Sequence, residues 1–158
     1  MKRYEILRQR PDLSPQDIQF LDRVKQYGLE VVSIFEDERG PGFAFSVGLY
    51  DVYNHPEILI IGLPQEVAHR VLNNLADDIK KGKHYTSEIP YAGILKNHQC
   101  QFKTIDTKHY REYLGFAMWY YGGENFPALQ CVWPDKNQLF PWDKKFDKKL
   151  QWYQPVLA

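Results

Sequence analysis

Residues 41–64, PGFAFSVGLYDVYNHPEILIIGLP, constrain this chain more than any other stretch. Two apolar, strand-forming runs flank a polar loop that carries His55, Pro56 and Glu57. In Phe43–Val47, the residues Phe43, Phe45 and Val47 alternate with Ala44 and Ser46, which is the period of a half-buried strand. Ile58–Ile61 is apolar at every position, as in a central strand buried on both faces. Just upstream, Leu29–Phe35 is apolar and β-branched at Val31, Val32 and Ile34. The turn around Gly40-Pro41-Gly42 joins it to Phe43–Val47 as a hairpin.

Helices surround these strands. Ser14-Pro15-Gln16-Asp17 reads as a capped helix start, with Ser14 and Asp17 placed to cap reciprocally. Ile18, Leu21 and Val24 follow at helical spacing, and Gly28 ends the run. Pro64 to Lys81 carries the stripe Val67, Val71, Leu72, Leu75 and Ile79. Lys80, Lys81 and Lys83 sit at its end, where cations complement the helix dipole. Lys108 to Tyr121 reads as another helix, stopped by Gly122-Gly123. Gln101–Ile105 and Ala128–Trp133 read as strands, and Pro134–Asn137 as a turn. Residues 83–99 show no clear period. The lysine-rich stretch Asp143–Lys149 reads as a solvated helix or tail.

Helices and strands interleave, yet several neighbouring strands are joined by short turns. The expected class is therefore α+β: a single domain over residues 1–158, with a largely antiparallel, mixed sheet and helices packed on one side. Residues 1–13 and 143–158 are expected at the periphery.

Composition narrows the function classes. Hydrophobic residues make up 44% of the chain and aromatic residues 15%, enough for a packed core. Twenty basic side chains balance twenty acidic ones, so no long-range attraction to nucleic acid or an anionic membrane is expected. No run reaches the roughly 18 apolar residues of a membrane helix, and the basic N-terminus lacks a signal-peptide core. The expected location is the cytoplasm. Two cysteines, Cys100 and Cys131, are too few for a disulfide framework and lack zinc-site pairing. There is no glycine-rich phosphate loop, no HExxH pair, no nucleophile elbow and no CxxC.

Two clusters carry candidate chemistry. In His55-Pro56-Glu57, a histidine beside a carboxylate suits a general base or a metal ligand pair. The same residues equally suit an ordered strand start, with Pro56 fixing the turn and Glu57 accepting backbone hydrogen bonds. In Gln130-Cys131-Val132-Trp133-Pro134-Asp135, the residues Gln130 and Asp135 can recognise a ligand, with Trp133 as a stacking wall. Alternatively, Asp135 closes a turn and Trp133 fills the core. Phe140-Pro141-Trp142-Asp143 has the rigid, amphipathic character of an interface anchor, or folds back onto the sheet. The other histidines, His69, His84, His98 and His109, show no ligand spacing.

In their order, Gly42-Phe43-Ala44-Phe45-Ser46-Val47-Gly48-Leu49, His55-Pro56-Glu57, Gly62-Leu63-Pro64, Gln130–Asp135 and Phe140-Pro141-Trp142 resemble a bacterial family, domain of unknown function 4262. The resemblance runs from about Leu29 to Trp142. It implies one domain and brings no activity with it.

The expected function is a small cytoplasmic protein-binding module, of the immunity or antitoxin kind that inhibits a partner protein. Size, near-neutral charge and abundant Tyr and Trp favour it. The expected binding residues are His55, Glu57, Gln130, Trp133, Asp135 and Trp142. No catalytic residue, metal or cofactor is assigned. The second reading is a small-molecule or flavin-binding domain, or an enzyme, with His55, Glu57, Gln130 and Asp135 lining a pocket. Two paired strands followed by a helix are similar in pattern to split-barrel flavin reductases. A third reading is a hydrolase or transferase built on His55 and Glu57.

Overall fold

The computed structural model describes residues 1–158. Its strands are β1 (Glu30–Ile34), β2 (Phe43–Val47), β3 (Glu57–Ile61), β4 (Pro90–Leu95), β5 (His98–Thr104) and β6 (Ala128–Val132). Its helices are α1 (Arg3–Arg8), α2 (Pro15–Tyr27), α3 (Leu49–Tyr53), α4 (Gln65–Lys80), α5 (Tyr110–Tyr113) and α6 (Gly115–Tyr121). The strands form one mixed sheet in the order β1-β2-β3-β6-β5-β4. All neighbours are antiparallel except β3 and β6, which run parallel at the centre. The expected α+β class, with a largely antiparallel mixed sheet, is what the chain adopts.

Local chemistry sets the helix ends. Ser14 Oγ accepts from Asp17 N at 3.0 Å, and Asp17 Oδ2 accepts from Ser14 N at 3.1 Å, so α2 begins with a capping box. The α4 stripe buries Ala68, Val71, Leu72, Leu75, Ala76 and Ile79. Truncating one of these, as in Leu72→Ala, costs about 2–5 kcal/mol in a well-packed core.

Helices cover both faces of the sheet, where one covered face was expected. Phe45, Val47, Leu59 and Ile61 pack with α2, α6 and Leu7 of α1. Ala44, Ile58, Ile60 and Leu129 pack with α4 on the opposite face. The strands themselves require this, because β3 and β6 are buried at all five positions and bare apolar faces would meet water. For the same reason β2 is buried beyond the expected half. Ala44 lies under α4, and Ser46 is buried with both of its hydrogen-bonding roles satisfied.

Three further differences have local causes. The helix expected over 108–121 is broken at Leu114, whose φ of −116° and ψ of 37° leave the helical region just before Gly115. The break lets Tyr110 and Leu114 join Ala117 and Tyr120 in one core. The unpatterned stretch 83–99 contains β4, a strand at the sheet edge with a register irregularity between Tyr91 and Leu95, so no clean alternation is imposed on it. The ends of the chain are docked rather than peripheral. Leu7, Phe146, Gln154 and Leu157 are all buried.

Candidate functional site

The parallel pair β3–β6 has two ends, and the sequence-derived residues divide between them. At the N-terminal end Glu57 is completely buried. Its carboxylate accepts from Ser46 Oγ at 2.7 Å, Gly48 N at 2.9 Å, and Leu49 N and Tyr50 N at 3.2 Å each. The Tyr121 hydroxyl donates to the same carboxylate. Three of these donors are the free N–H groups that open α3, so Glu57 caps that helix from the neighbouring strand. Gly48 is required there: its φ is 120°, and a Cβ would lie 2.9 Å from the Gly28 carbonyl oxygen.

No cation stands beside Glu57. Burial pushes its carboxyl above the ordinary carboxylate range, and the donors from Tyr121, Ser46, Gly48 and Tyr50 oppose that push. Burial and the adjacent Glu57 charge in turn push the Tyr121 hydroxyl up, so it stays a donor. Tyr121 also accepts from Asp51 N at 3.1 Å, and Tyr120 donates to Asp51 Oδ2 at 2.8 Å.

His55 turns the other way. Asn54, in the left-handed region with a φ of 54°, swings the chain before Pro56. His55 Nε2 accepts from Tyr85 N at 3.0 Å, while Nδ1 lies 2.8 Å from the Pro56 carbonyl oxygen and donates to it. That pair of bonds fixes a neutral imidazole with no free lone pair. Burial, with the neighbouring His84 ring as a lesser cause, pulls its pKa below the ordinary histidine value. Tyr85 belongs to the core under α4, whereas Tyr121 packs on the α6 side. His55 and Glu57 therefore share neither a pocket nor a partner. The strand-start reading of both describes their bonds, and they line none of the five principal cavities.

Gln130, in mid-strand, is also closed. Its Nε2 donates to the Pro155 carbonyl at 2.8 Å, and its Oε1 accepts from Leu157 N at 2.9 Å, which holds the C-terminal segment against the sheet. Cys100 and Cys131 lie on β5 and β6 within one core. Contact with the Cys100 thiol, and then burial, push the Cys131 thiol up, so it is held as a poor nucleophile. No three His, Cys, Asp or Glu side chains converge as a metal set would need.

The C-terminal end of the pair is open. Trp133 Nε1 donates to the Ile61 carbonyl at 2.8 Å, tying the two strand ends together. Gln154 bonds both backbone groups of Trp133, accepting from its N–H at 2.9 Å and donating to its carbonyl at 2.8 Å. Gly62 follows β3 with a φ of 91°, and a Cβ on it would lie 2.1 Å from the Tyr153 carbonyl oxygen. Between these groups lies a cavity of about 610 Å³ lined by Trp133, Asp135, Lys136, Lys145, Phe146 and Tyr153, among others. Trp133 and Asp135 were legible as candidates. Lys145, Phe146 and Tyr153 were not, although Phe146 is the one apolar residue among the lysines of 144–149.

Asp135 does close its turn, accepting from Asn137 N at 2.8 Å and Leu139 N at 2.9 Å. Beyond it, Trp142 stacks on Phe140 with ring centroids 4.8 Å apart, and Lys103 Nζ lies 4.3 Å from the Trp142 ring centre. A groove of about 670 Å³ runs along the β4–β5 hairpin, and its His98 and Gln138 side chains are bonded to each other.

Residues 23–147 match the family model described as Domain of unknown function (DUF4262). No curated protein and no solved structure matches the chain. No helix is long and apolar enough to cross a membrane.

Proposed function

The chain belongs to the DUF4262 family, of unknown function, and from that premise we propose that it is a cytoplasmic protein-binding module whose contact surface is its C-terminal aromatic face. One observation carries this reading. Trp142, Leu150, Trp152 and Tyr153 are between 38% and 49% exposed on two adjoining segments. The segments are joined by Gln151 Nε2 donating to the Pro141 carbonyl at 3.2 Å. Large apolar side chains that are held yet exposed are the usual anchors of protein interfaces. Trp142 is fixed by Phe140 and Lys103, so docking it costs little further entropy.

Charge supports one kind of partner. Lys136, Lys144, Lys145, Lys148 and Lys149 are exposed, and no carboxylate lies within ion-pairing distance of any of them. The three aspartates among them, Asp135, Asp143 and Asp147, each use an oxygen on backbone N–H groups of their own turns. The fitting partner is a protein surface with acidic side chains around apolar ones. Inhibition by occlusion of such a partner, as an immunity or antitoxin protein does, is the form of this reading that needs no catalytic group. In this reading His55, Glu57 and Gln130, expected from the sequence as binding residues, are buried and bonded internally and lie outside the contact surface.

Native mass spectrometry of the protein isolated from its own cells tests the reading. The expected result is a stoichiometric second protein that is lost, at least tenfold in affinity, from the Trp142→Ser/Trp152→Ser variant. The Phe35→Ser variant, altered at an exposed aromatic residue just after β1 and outside the Trp142–Tyr153 surface, retains it. A bare chain, or a partner indifferent to Trp142 and Trp152, overturns the proposal.

A further inference from the structure

We infer that the cavity at the C-terminal ends of β3 and β6 is a second binding site, adjoining the proposed partner surface and sharing Lys136, Lys145, Leu150 and Tyr153 with it, for a small organic anion with a ring system and one acidic group. Its volume, about 610 Å³, falls within the range of small-molecule sites. Its position follows from topology. Ligands commonly sit in the crevice outside the carboxyl ends of parallel strands, where the connections lead away, and β3–β6 is the parallel pair of this sheet.

The walls are fixed before any ligand arrives. The indole N–H of Trp133 is held on Ile61, and its backbone is held by Gln154. The outer wall cannot shift inward at Tyr153, whose carbonyl oxygen already abuts Gly62. Phe146 is 7% exposed, forming part of an apolar lining with Trp133 and Tyr153. This lining suits a ring, since flat faces stack on aromatic walls.

The polar groups choose the charge. Lys136 and Lys145 line the cavity without a carboxylate partner. The two acids that also line it, Asp135 and Asp147, accept from backbone N–H groups of Asn137, Leu139 and Lys149. The carboxylates keep their charge but are turned onto their own backbone, so the ammonium N–H groups are the charged donors left to meet a ligand, and they sit beside an aromatic wall. An inorganic anion would leave that wall unused, and a neutral ring would leave both ammonium groups without a charged acceptor. A ring bearing a carboxylate, sulfonate or phosphate satisfies both.

Two fluorescent probes separate the contributions. 1-Anilinonaphthalene-8-sulfonate carries a ring system with a sulfonate, and N-phenyl-1-naphthylamine is the same ring system without it. Titration of the intact protein is expected to give one sulfonate probe per chain, bound at least tenfold more tightly than the neutral probe. The Lys136→Met/Lys145→Met variant is expected to bring the two probes to the same affinity. Leu150→Trp, which puts a larger side chain into the cavity lining, is expected to abolish both. The Trp142→Ser/Trp152→Ser variant, which breaks the partner surface, is expected to leave the probe affinities unchanged, so the two proposals fail separately. No binding of the sulfonate probe at millimolar concentration overturns the inference. Several probes per chain, or an affinity indifferent to both lysines, overturn it equally.

Discussion

The two ends of the β3–β6 pair are built from similar residue types and are put to opposite use. At the N-terminal end every polar group is matched inside the protein. Glu57 receives five donors, and both nitrogens of His55 are engaged. At the C-terminal end Trp133 and Gln154 are matched, but the lysines and exposed aromatics around them are not. A carboxylate and a histidine two residues apart look like chemistry in a sequence. Here both are buried and bonded within the protein, because burial without satisfaction is too costly to be left open. Groups that can still act are those the fold leaves in reach of solvent.

The sharpest way to break this comparison is Glu57→Gln. Every neighbour of the carboxylate is a donor, so the amide NH₂ would face donors and leave at least one unpaired in the core. A loss of about 2–4 kcal/mol in folding free energy is expected by urea denaturation, at one to two unsatisfied groups. A loss below about 1 kcal/mol would mean that the N-terminal end is not closed as described.

Next comes His55→Leu, which leaves the Tyr85 N–H without its acceptor. It is expected to cost about 1–3 kcal/mol. It also tests the pH response. Burial lowers the folded pKa of His55, so the unfolded chain binds the proton first. The stabilisation from the neutral ring is full above the unfolded value of about 6.5, and it drains as pH falls from there through the folded pKa. Glu57 has the opposite sign. Its folded pKa is raised, so its contribution is full below the unfolded value and lost as pH rises through the folded one. Melting temperature followed from pH 7 down to pH 5 should fall in the parent protein and flatten in His55→Leu. An unchanged slope would show that His55 does not titrate in this window.

At the C-terminal end the same measurements should barely move. Trp142→Ser is expected to cost less than about 1 kcal/mol in stability, since the ring is 40% exposed, while partner affinity falls at least tenfold. Lys145→Met should leave stability within about 0.5 kcal/mol. A large stability loss from either would make the C-terminal face part of the scaffold and erase the contrast between the two ends.

Much of the scaffold was legible. The capping box at Ser14–Asp17, the alternation in Phe43–Val47, the apolar run in β3 and the stripe on α4 are local signals, and each formed where its period placed it. The site was less legible. Trp133 and Asp135 stand in a recognisable motif, but the residues completing their cavity lie 10 to 20 positions further on in a lysine-rich stretch without period. β4 was hidden for a related reason: at the sheet edge only one side is paired, so its residues carry little pattern.

The sequence by itself determined the element types, the class of the sheet and the polar residues that needed partners, because propensity, periodicity and capping act over a few neighbouring residues. Only the tertiary structure decided which polar residues were closed and which stayed open. Whether Glu57 is an open base or a closed helix cap depends on the Gly48, Leu49 and Tyr50 N–H groups and the Tyr121 hydroxyl, the last 64 positions away, all meeting its carboxylate. Whether Trp133 is core or wall depends on Gly62 lying against its ring and on Phe146 and Tyr153 lining the same cavity. Satisfaction of a buried group is a property of what the fold brings to it, and no local pattern encodes that.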